Sequence, residues 1–240
     1  MKHFNWANIR LLLMFLLVVF LFSFTSKRND NRKLIKTEVV FVGDNSPFVD
    51  QKTVNKLLIE NKKDAQSIDK DKLDLNKLEK ALNAHGMIEK SDVFVSIDGV
   101  LKAVVKQKTP IARVFDGDDS FYIDYKGDRM PLSTNFTARV PLVSGEINKK
   151  NREDLAELFR IIYDDAFLKK NIIGVQIMPN GSLKMLNRNF SYQIDFGGTK
   201  RMKAKFNNYK AFFQKAVLDS SLYKYKTIDL RFSQQVVCTK

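Results

Sequence analysis

The side chains that could carry out catalysis are few and isolated. The chain has 240 residues but only two His and one Cys, which excludes disulfide frameworks and thiolate metal sites. His85 could serve as a general acid or base, but it stands beside Gly86 at the end of a predicted helix, where an imidazole commonly completes the last turn. Cys238 has no His nearby in the sequence and fits a small apolar strand residue better than a nucleophile. We therefore expect no enzyme activity.

Two further motifs resemble ligand sites without matching them. Asp69, Asp71 and Asp74 are spaced like the first ligands of a calcium loop. The sixth position of that loop would be Asp74 instead of Gly, and the twelfth would be Lys80 instead of Glu. The segment 197–200 (GGTK) precedes a predicted helix but lacks the spacing of a phosphate-binding loop. We interpret both motifs as ordinary helix entries and expect no metal or cofactor.

Positive charge is the strongest feature of the composition. The chain has 41 Lys or Arg against 27 Asp or Glu, a formal net charge of +14, which is typical of proteins that bind nucleic acid, anionic lipid or another polyanion. The basic residues are spread along the whole chain, without a zinc pattern or a basic ribbon interleaved with aromatic residues, so we do not expect nucleic acid as a partner. An anionic lipid surface or envelope polymer explains them better. The hydrophobic fraction of 44%, with 19 Phe, indicates a folded chain.

An apolar run near the N-terminus predicts a single membrane anchor. Residues 11–24 carry no charge, and the run extends back to Phe4 with only Arg10 interrupting it, which approaches the roughly 20 residues that span a bilayer. A cleaved signal peptide is the alternative, but Ser23-Phe24-Thr25 lacks the small residues that cleavage requires. We predict a short cytoplasmic tail at 1–8, the anchor at 9–26 and a juxtamembrane linker at 27–36.

The basic residues on the two sides of the apolar run predict how the chain is oriented in the membrane. Lys2 and Arg10 precede the span, whereas five basic residues follow it between Lys27 and Lys36. The positive-inside rule would therefore place the C-terminal bulk in the cytoplasm.

Beyond the anchor the pattern predicts two folded units, and the fold class is α+β. In residues 37–109 the order is strand, helix, helix, strand, strand, with Asp98-Gly99 as the tight turn between the last two strands. In residues 110–240 short strands lead to a helix at 149–166, three further strands, a helix from Thr199 and a final strand at 225–232. We expect the second unit to be a mixed α/β domain on a largely antiparallel sheet.

Four short motifs follow one another along these units. They are QKTPIA (107–112), YID (122–124) with Gly127 after it, VPLVSG (140–145) and TIDLRF (227–232). The β-α-α-β-β order after an anchor is similar to a POTRA module, and the full set of motifs resembles the FtsQ/DivIB family of bacterial cell division proteins over essentially the whole chain. One departure is Gln107, where the family often has an acidic residue.

The resemblance implies a non-enzymatic scaffold of the bacterial divisome. It implies a single-pass protein of the inner membrane at the septum, with the N-terminus in the cytoplasm and the bulk in the periplasm, and we follow it over the charge count. It also implies that the POTRA-like module and the span help recruit the protein. The β domain would dock the FtsB/FtsL subcomplex, which regulates septal peptidoglycan synthesis, so FtsB-like and FtsL-like proteins are the expected partners. The alternative is a membrane-anchored POTRA adaptor that chaperones chains in envelope protein export or assembly.

The resemblance places docking at an exposed sheet edge near the C-terminus. A last strand has an unpaired row of backbone N–H and C=O groups that a partner strand can complete. We expect Arg231 to point outward and offer its fork to a partner carboxylate, with Cys238 and its neighbours extending an apolar edge. The alternative is that residues 225–239 simply close the sheet internally. The predicted partner-binding residues are Asp229, Arg231, Phe232, Ser233, Gln235, Val236 and Val237.

Overall fold

The N-terminal helix α1 (Trp6–Asp30) is apolar along most of its length. The computed structural model describes residues 6–30, 34–43, 47–59, 73–117, 119–232 and 234–240, and within these ranges α1 is the one helix long and apolar enough to cross a membrane, over Ile9–Lys27. None of that stretch is buried inside the protein. An apolar helix that the protein does not cover needs another apolar environment, and a bilayer supplies it.

The remainder of the chain forms two units. The first unit consists of the part of Met1–Asn45 that follows α1, together with Val49–Lys106. The second unit consists of Ser46–Phe48 together with Gln107–Lys240. The first unit has the predicted β-α-α-β-β order. Its elements are β1 (Lys36–Val42), α2 (Gln51–Leu58), α3 (Leu75–Asn83), β2 (Ile88–Val95) and β3 (Val100–Gln107). The sheet order is β1-β3-β2, with β1 parallel to β3. One core joins both helices to the sheet, and it includes Val39, Val54, Leu82 and Leu101.

Aspartates begin both helices of the first unit. The side chain of Asp50 accepts a hydrogen bond from the N–H of Thr53 at 2.8 Å, and that of Asp74 accepts one from the N–H of Lys77 at 3.0 Å. Each bond satisfies one of the backbone donors that a helix leaves unpaired in its first turn. Asp74 therefore has the helix-entry role that the sequence indicates.

The second unit is built on a nine-stranded sheet with the order β12-β11-β10-β9-β8-β7-β4-β5-β6. Five of its neighbouring pairs are antiparallel, and the parallel pairs are β4–β7, β7–β8 and β10–β11. The sheet is thus largely antiparallel, as predicted. Its strands are β4 (Pro110–Asp116), β5 (Asp119–Asp124), β6 (Arg129–Met130), β7 (Leu142–Ser144), β8 (Ile172–Ile177), β9 (Leu183–Asn187), β10 (Gln193–Gly197), β11 (Thr227–Asp229) and β12 (Val237–Thr239).

Three helices share one hydrophobic core with this sheet: α4 (Arg152–Asp164), α5 (Ala166–Asn171) and α6 (Met202–Leu218). The helix predicted over 149–166 is present as α4, whereas the short helix α5 directly after it was not predicted; Asp165 stands between the two. The Asp165 side chain accepts hydrogen bonds from the N–H groups of Phe167 and Leu168, both at 3.0 Å, and so begins a separate helix. Asp residues compete with the helical backbone in this way, and a spacing pattern of apolar residues does not detect it.

Candidate partner-docking edge

The predicted final strand at 225–232 is shorter than expected, and neither of its edges is the edge of the sheet. β11 covers only Thr227–Asp229 and lies between β10 and β12, parallel to the first and antiparallel to the second. The expectation that this strand presents an unpaired edge was therefore wrong. The chain turns after Leu230 and returns as β12, and this last strand forms the edge instead.

The direction of each backbone group on β12 follows from the pairing of β11. Gln193 N–H donates to the carbonyl of Lys226 at 2.9 Å, and Leu230 N–H donates to the carbonyl of Asp195 at 2.9 Å, so the parallel pairing directs the N–H and C=O of Ile228, the central residue of β11, toward β10. Lys226 N–H, just before β11, donates to the carbonyl of Thr239 on the opposite side at 2.8 Å. The odd-numbered residues then bond to Val237 and Thr239, which oppose them in register. The N–H and C=O of Cys238 consequently point away from β11, toward the position that a further strand would occupy.

The side chains of this edge are small and uncharged. Val236 and Cys238 pack against the hydrophobic core, whereas Val237 is 40% exposed and Thr239 is also exposed. Burial raises the pKa of the Cys238 thiol, so this side chain is a neutral packing group. The strand thus presents backbone hydrogen-bonding groups beside apolar side chains, the arrangement that strand addition uses.

The other predicted partner-binding residues lie in the turn between β11 and β12. Phe232 is 47% exposed, and Gln235 is exposed just before the edge strand. Ser233 lies outside the described residues. The turn therefore carries an exposed aromatic ring five residues before the edge strand in the sequence.

Asp229 and Arg231 form a latch within the turn. The Asp229 carboxylate is largely buried and accepts a hydrogen bond from the backbone N–H of Arg231 at 2.9 Å. Its two oxygens also accept from Nε of Arg231 at 3.0 Å. These hydrogen bonds lower the pKa of Asp229 below its usual value. The guanidinium that the sequence assigns to a partner carboxylate is thus already bound to the protein's own carboxylate.

Gly197 makes room for this latch. It has φ of +73°, and a Cβ atom added there would lie 2.7 Å from Cγ of Arg231. The buried Lys205 ties the same corner together, because its Nζ donates to the carbonyls of Phe196 at 2.8 Å and Gly198 at 2.7 Å. Burial lowers the pKa of Lys205, and the charge of Asp229 opposes that effect. Arg231 is therefore bound to Asp229 and packed on Gly197, whose two neighbours Phe196 and Gly198 are held by Lys205.

The sequence analysis interpreted Gly197 as part of an ordinary helix entry and did not single out Lys205, which lies in α6. A glycine immediately after a strand was the available signal, since a left-handed backbone favours glycine. Lys205 gave no signal, because a lysine on a helix usually lies in solvent, and here the burial comes from residues distant in sequence.

The remaining chemical candidates serve local structure. Nδ1 of His85 accepts a hydrogen bond from the N–H of Met87 at 3.4 Å, and burial lowers the pKa of the imidazole. Thr199 donates its hydroxyl to Asp154 at 2.6 Å. Asp69 and Asp71 lie outside the described residues. In the described part of the chain, no group of three or more His, Cys, Asp or Glu side chains is arranged to hold a metal ion.

Comparison with known proteins gives one family match and a weak structural similarity. Residues 109–239 match a family model described as "FtsQ/DivIB, C-terminal related". One similar solved structure is the major extracytoplasmic domain of the trans isomer of the bacterial cell division protein DivIB from Geobacillus stearothermophilus. It is 13% identical, with a TM-score of 0.32 over 47% of this chain and 95% of that one. None of the curated proteins matches the chain.

Proposed function

The chain belongs to the FtsQ/DivIB family of bacterial cell division proteins, whose model matches residues 109–239, and from that premise we propose that it is a membrane-anchored, non-enzymatic scaffold of the divisome. The scaffold links early and late division proteins by binding them. The apolar helix α1 supports the anchoring, since it buries none of its Ile9–Lys27 stretch inside the protein. The proposed orientation has the N-terminus in the cytoplasm and both units in the periplasm, at the septum.

The edge strand β12 is the observation that carries the docking role. An FtsB-like and FtsL-like pair adds a strand of its own along Val237–Thr239 and pairs with the outward N–H and C=O of Cys238. Main-chain hydrogen bonds supply affinity in such a complex, and side chains beside the edge supply selectivity. Val237 and Phe232, both exposed, give the apolar contacts.

In this proposal Arg231 stabilises the turn and does not act as a free cation for the partner. Its fork is bound to Asp229, so a partner carboxylate approaching the turn either shares the guanidinium or displaces Asp229. A charge reversal at Arg231 would place two carboxylates side by side and disturb the turn itself. Arg231→Glu is therefore a poor probe of docking, and substitutions on β12 are better ones.

A pair of matched substitutions tests the docking site. Val237→Lys places a charge on the proposed edge, whereas Val217→Lys makes the same change on α6, where Val217 is 46% exposed against 40% for Val237. We expect Val237→Lys to abolish co-purification of the FtsB-like and FtsL-like proteins from cells and Val217→Lys to leave it intact. Both variants should remain in the membrane fraction. Normal co-purification with Val237→Lys would remove β12 as the docking site.

Depletion in the parent bacterium tests the division role itself. Cells that lack the protein should form filaments, because septal synthesis is not activated. Cells of normal length with defective outer-membrane proteins would instead support the envelope adaptor function.

A further inference from the structure

The connection between the apolar helix and the first unit is very short. α1 ends at Asp30, and Leu34 is already buried in the core of the first unit. A fully extended chain covers at most about 3.3–3.6 Å per residue, so these four steps reach no further than about 14 Å. Lys27, where the apolar stretch ends, lies about 5 Å of helix before Asp30. Leu34 therefore lies within about 19 Å of the end of the apolar stretch, which keeps the first unit close to the headgroups of any bilayer that α1 crosses.

The end of the first unit that enters this connection exposes two isoleucines. The N–H of Ile35 donates to the carbonyl of Gly99 at 2.9 Å, which places the start of β1 beside the tip of the β2–β3 hairpin. Ile97 at that tip is 86% exposed and Ile35 is 57% exposed. Exposure this large is unusual for isoleucine, which is among the residues most often fully buried.

The hairpin tip is held firmly in this position. Ser96 N–H donates to the carbonyl of Val100 at 2.9 Å, and Gly99 N–H donates to the carbonyl of Ser96 at 3.0 Å. The hydroxyl oxygen of Ser96 accepts a further bond from Val100 N–H at 3.1 Å. The turn therefore presents Ile97 outward as a fixed feature of the fold.

The charge of the connecting segment favours an anionic lipid surface. Lys27, Arg28, Arg32, Lys33 and Lys36 lie within ten residues, and Asp30 is the single acidic residue among them. Basic residues beside a membrane span attract anionic headgroups over a distance of about one Debye length. Asp98 at the hairpin tip is exposed as well.

We propose that this end of the first unit, defined by Ile35, Lys36 and Ile97, is a membrane-contact surface that binds the anionic lipid leaflet from which α1 emerges. Ile35 and Ile97 insert at the boundary between headgroups and acyl chains, and the exposed Lys36 pairs with lipid phosphates. The contact supplements the anchor and fixes the direction in which the first unit leaves the bilayer. The inference rests on the proposed membrane anchoring and is independent of docking at β12.

The opposite end of the same sheet provides a matched control. Lys36 opposes Val100 and Val42 opposes Lys106 in the parallel β1–β3 pair, so Val42 lies at the far end of β1 from Ile35. Val42 is an exposed aliphatic residue like Ile97. The six residue-to-residue steps from Lys36 to Val42 separate the two ends by about 20 Å of strand. A probe at Val42 should therefore stay in water when a probe at Ile97 contacts lipid.

Fluorescence quenching in lipid nanodiscs tests the proposal on the full chain. In a Cys238→Ser background, one environment-sensitive fluorophore is attached through Ile97→Cys, Val42→Cys or Leu17→Cys, and the discs contain phosphatidylglycerol with brominated acyl chains. We expect strong quenching at position 17, clear quenching at 97 and none at 42. Quenching at 17 with position 97 behaving like 42 overturns the contact surface alone. No quenching at 17 overturns the membrane anchor and the contact surface together.

Two further arms separate the causes of contact. A fluorophore attached at position 97 can insert into the bilayer by itself. The same probe is therefore attached through Asp98→Cys, with Ile97 either intact or replaced by Ser. We expect Ile97→Ser to reduce the quenching at position 98 at least about twofold. Discs of zwitterionic lipid alone should give several-fold weaker quenching at position 97 than anionic discs. Equal quenching in both lipids overturns the role of the anionic headgroups, and an unchanged signal with Ile97→Ser overturns the insertion.

Discussion

The two edges of the nine-stranded sheet are built differently. β6 at one edge has two residues, and it carries Arg129, whose guanidinium pairs with Asp119 and covers the ring of Phe121. Pro131 follows it immediately. β12 at the other edge has three uncharged residues and no proline. Charge and proline are the usual devices that prevent a sheet edge from pairing with another chain, and only β6 has them.

The position of the arginine explains the contrast. Arg129 stands on the edge strand itself, so its charge meets any approaching strand. Arg231 stands after β11, one strand inward, where Asp229 binds it. Arg231 thus stabilises the turn that precedes β12 and leaves the backbone groups of β12 accessible to a partner strand. A sheet edge can therefore stay open to a partner strand when the neighbouring charges, here those of Asp229 and Arg231, bind each other.

Among these substitutions, Cys238→Pro should cause the largest loss of partner affinity. Proline removes the outward N–H of β12 and leaves the bonds of Val237 and Thr239 to β11 in place. We expect partner affinity to fall by on the order of tenfold to a hundredfold, since a lost backbone hydrogen bond of about 1–1.5 kcal/mol is joined by contact of the ring with the incoming strand. Isothermal titration of the full chain in detergent with the FtsB-like and FtsL-like subcomplex measures it.

The matched change at the closed edge is Arg129→Pro. Met130 opposes Tyr122, and Asp124 N–H donates to the carbonyl of Asp128, so the same alternation turns the N–H of Arg129 outward. Partner affinity should be unchanged by this substitution. Equal losses for the two prolines would mean that neither edge is the docking site.

Gly197→Ala should have the next largest effect. This substitution tests whether the turn between β11 and β12 depends on the packing of Arg231, which binds Asp229, against Gly197. Alanine at φ of +73° is strained by about 1–2 kcal/mol, and its Cβ would press on the Arg231 side chain. Gly198→Ala is the control, since an added Cβ there has no neighbour within 4 Å. Thermal unfolding of the full chain in detergent should show a lower Tm for Gly197→Ala only. A similar Tm for both variants would argue against the tight packing of Arg231 on Gly197.

Asp229→Asn should have the smallest effect, and it should depend on pH. The amide can still accept a hydrogen bond but loses the charge, so we expect unfolding to cost about 1 kcal/mol less at pH 7. The folded protein lowers the pKa of Asp229, so its stabilisation is complete above the usual carboxyl pKa of about 3.9 and is lost as the pH falls through the lowered value. The difference in Tm between wild type and Asp229→Asn should therefore shrink below about pH 4. A difference that is constant with pH would exclude a charged latch.

Local patterns in the sequence predicted much of this architecture. The apolar run of α1, the capping role of Asp74 and the hairpin turn at Asp98-Gly99 each follow from a few adjacent residues. The open sheet edge was harder to locate, because the alternation of Ile228, Leu230 and Phe232 continues past the point where the strand ends. Nothing local reveals that the Asp229 side chain bends the chain back at Arg231. β12 itself is three residues long, too short for a periodic pattern, and its position at the edge depends on pairing with β11.

Amide hydrogen exchange is the most direct test of the open edge. The full chain in detergent is measured by NMR with and without the FtsB-like and FtsL-like subcomplex, comparing the backbone N–H of Cys238 on β12 with that of Arg129 on β6. If a partner strand adds to β12, the Cys238 amide becomes protected on binding by at least about tenfold while the Arg129 amide keeps its rate. Binding that leaves Cys238 unprotected, or that protects Arg129 instead, would contradict the assignment of the docking edge.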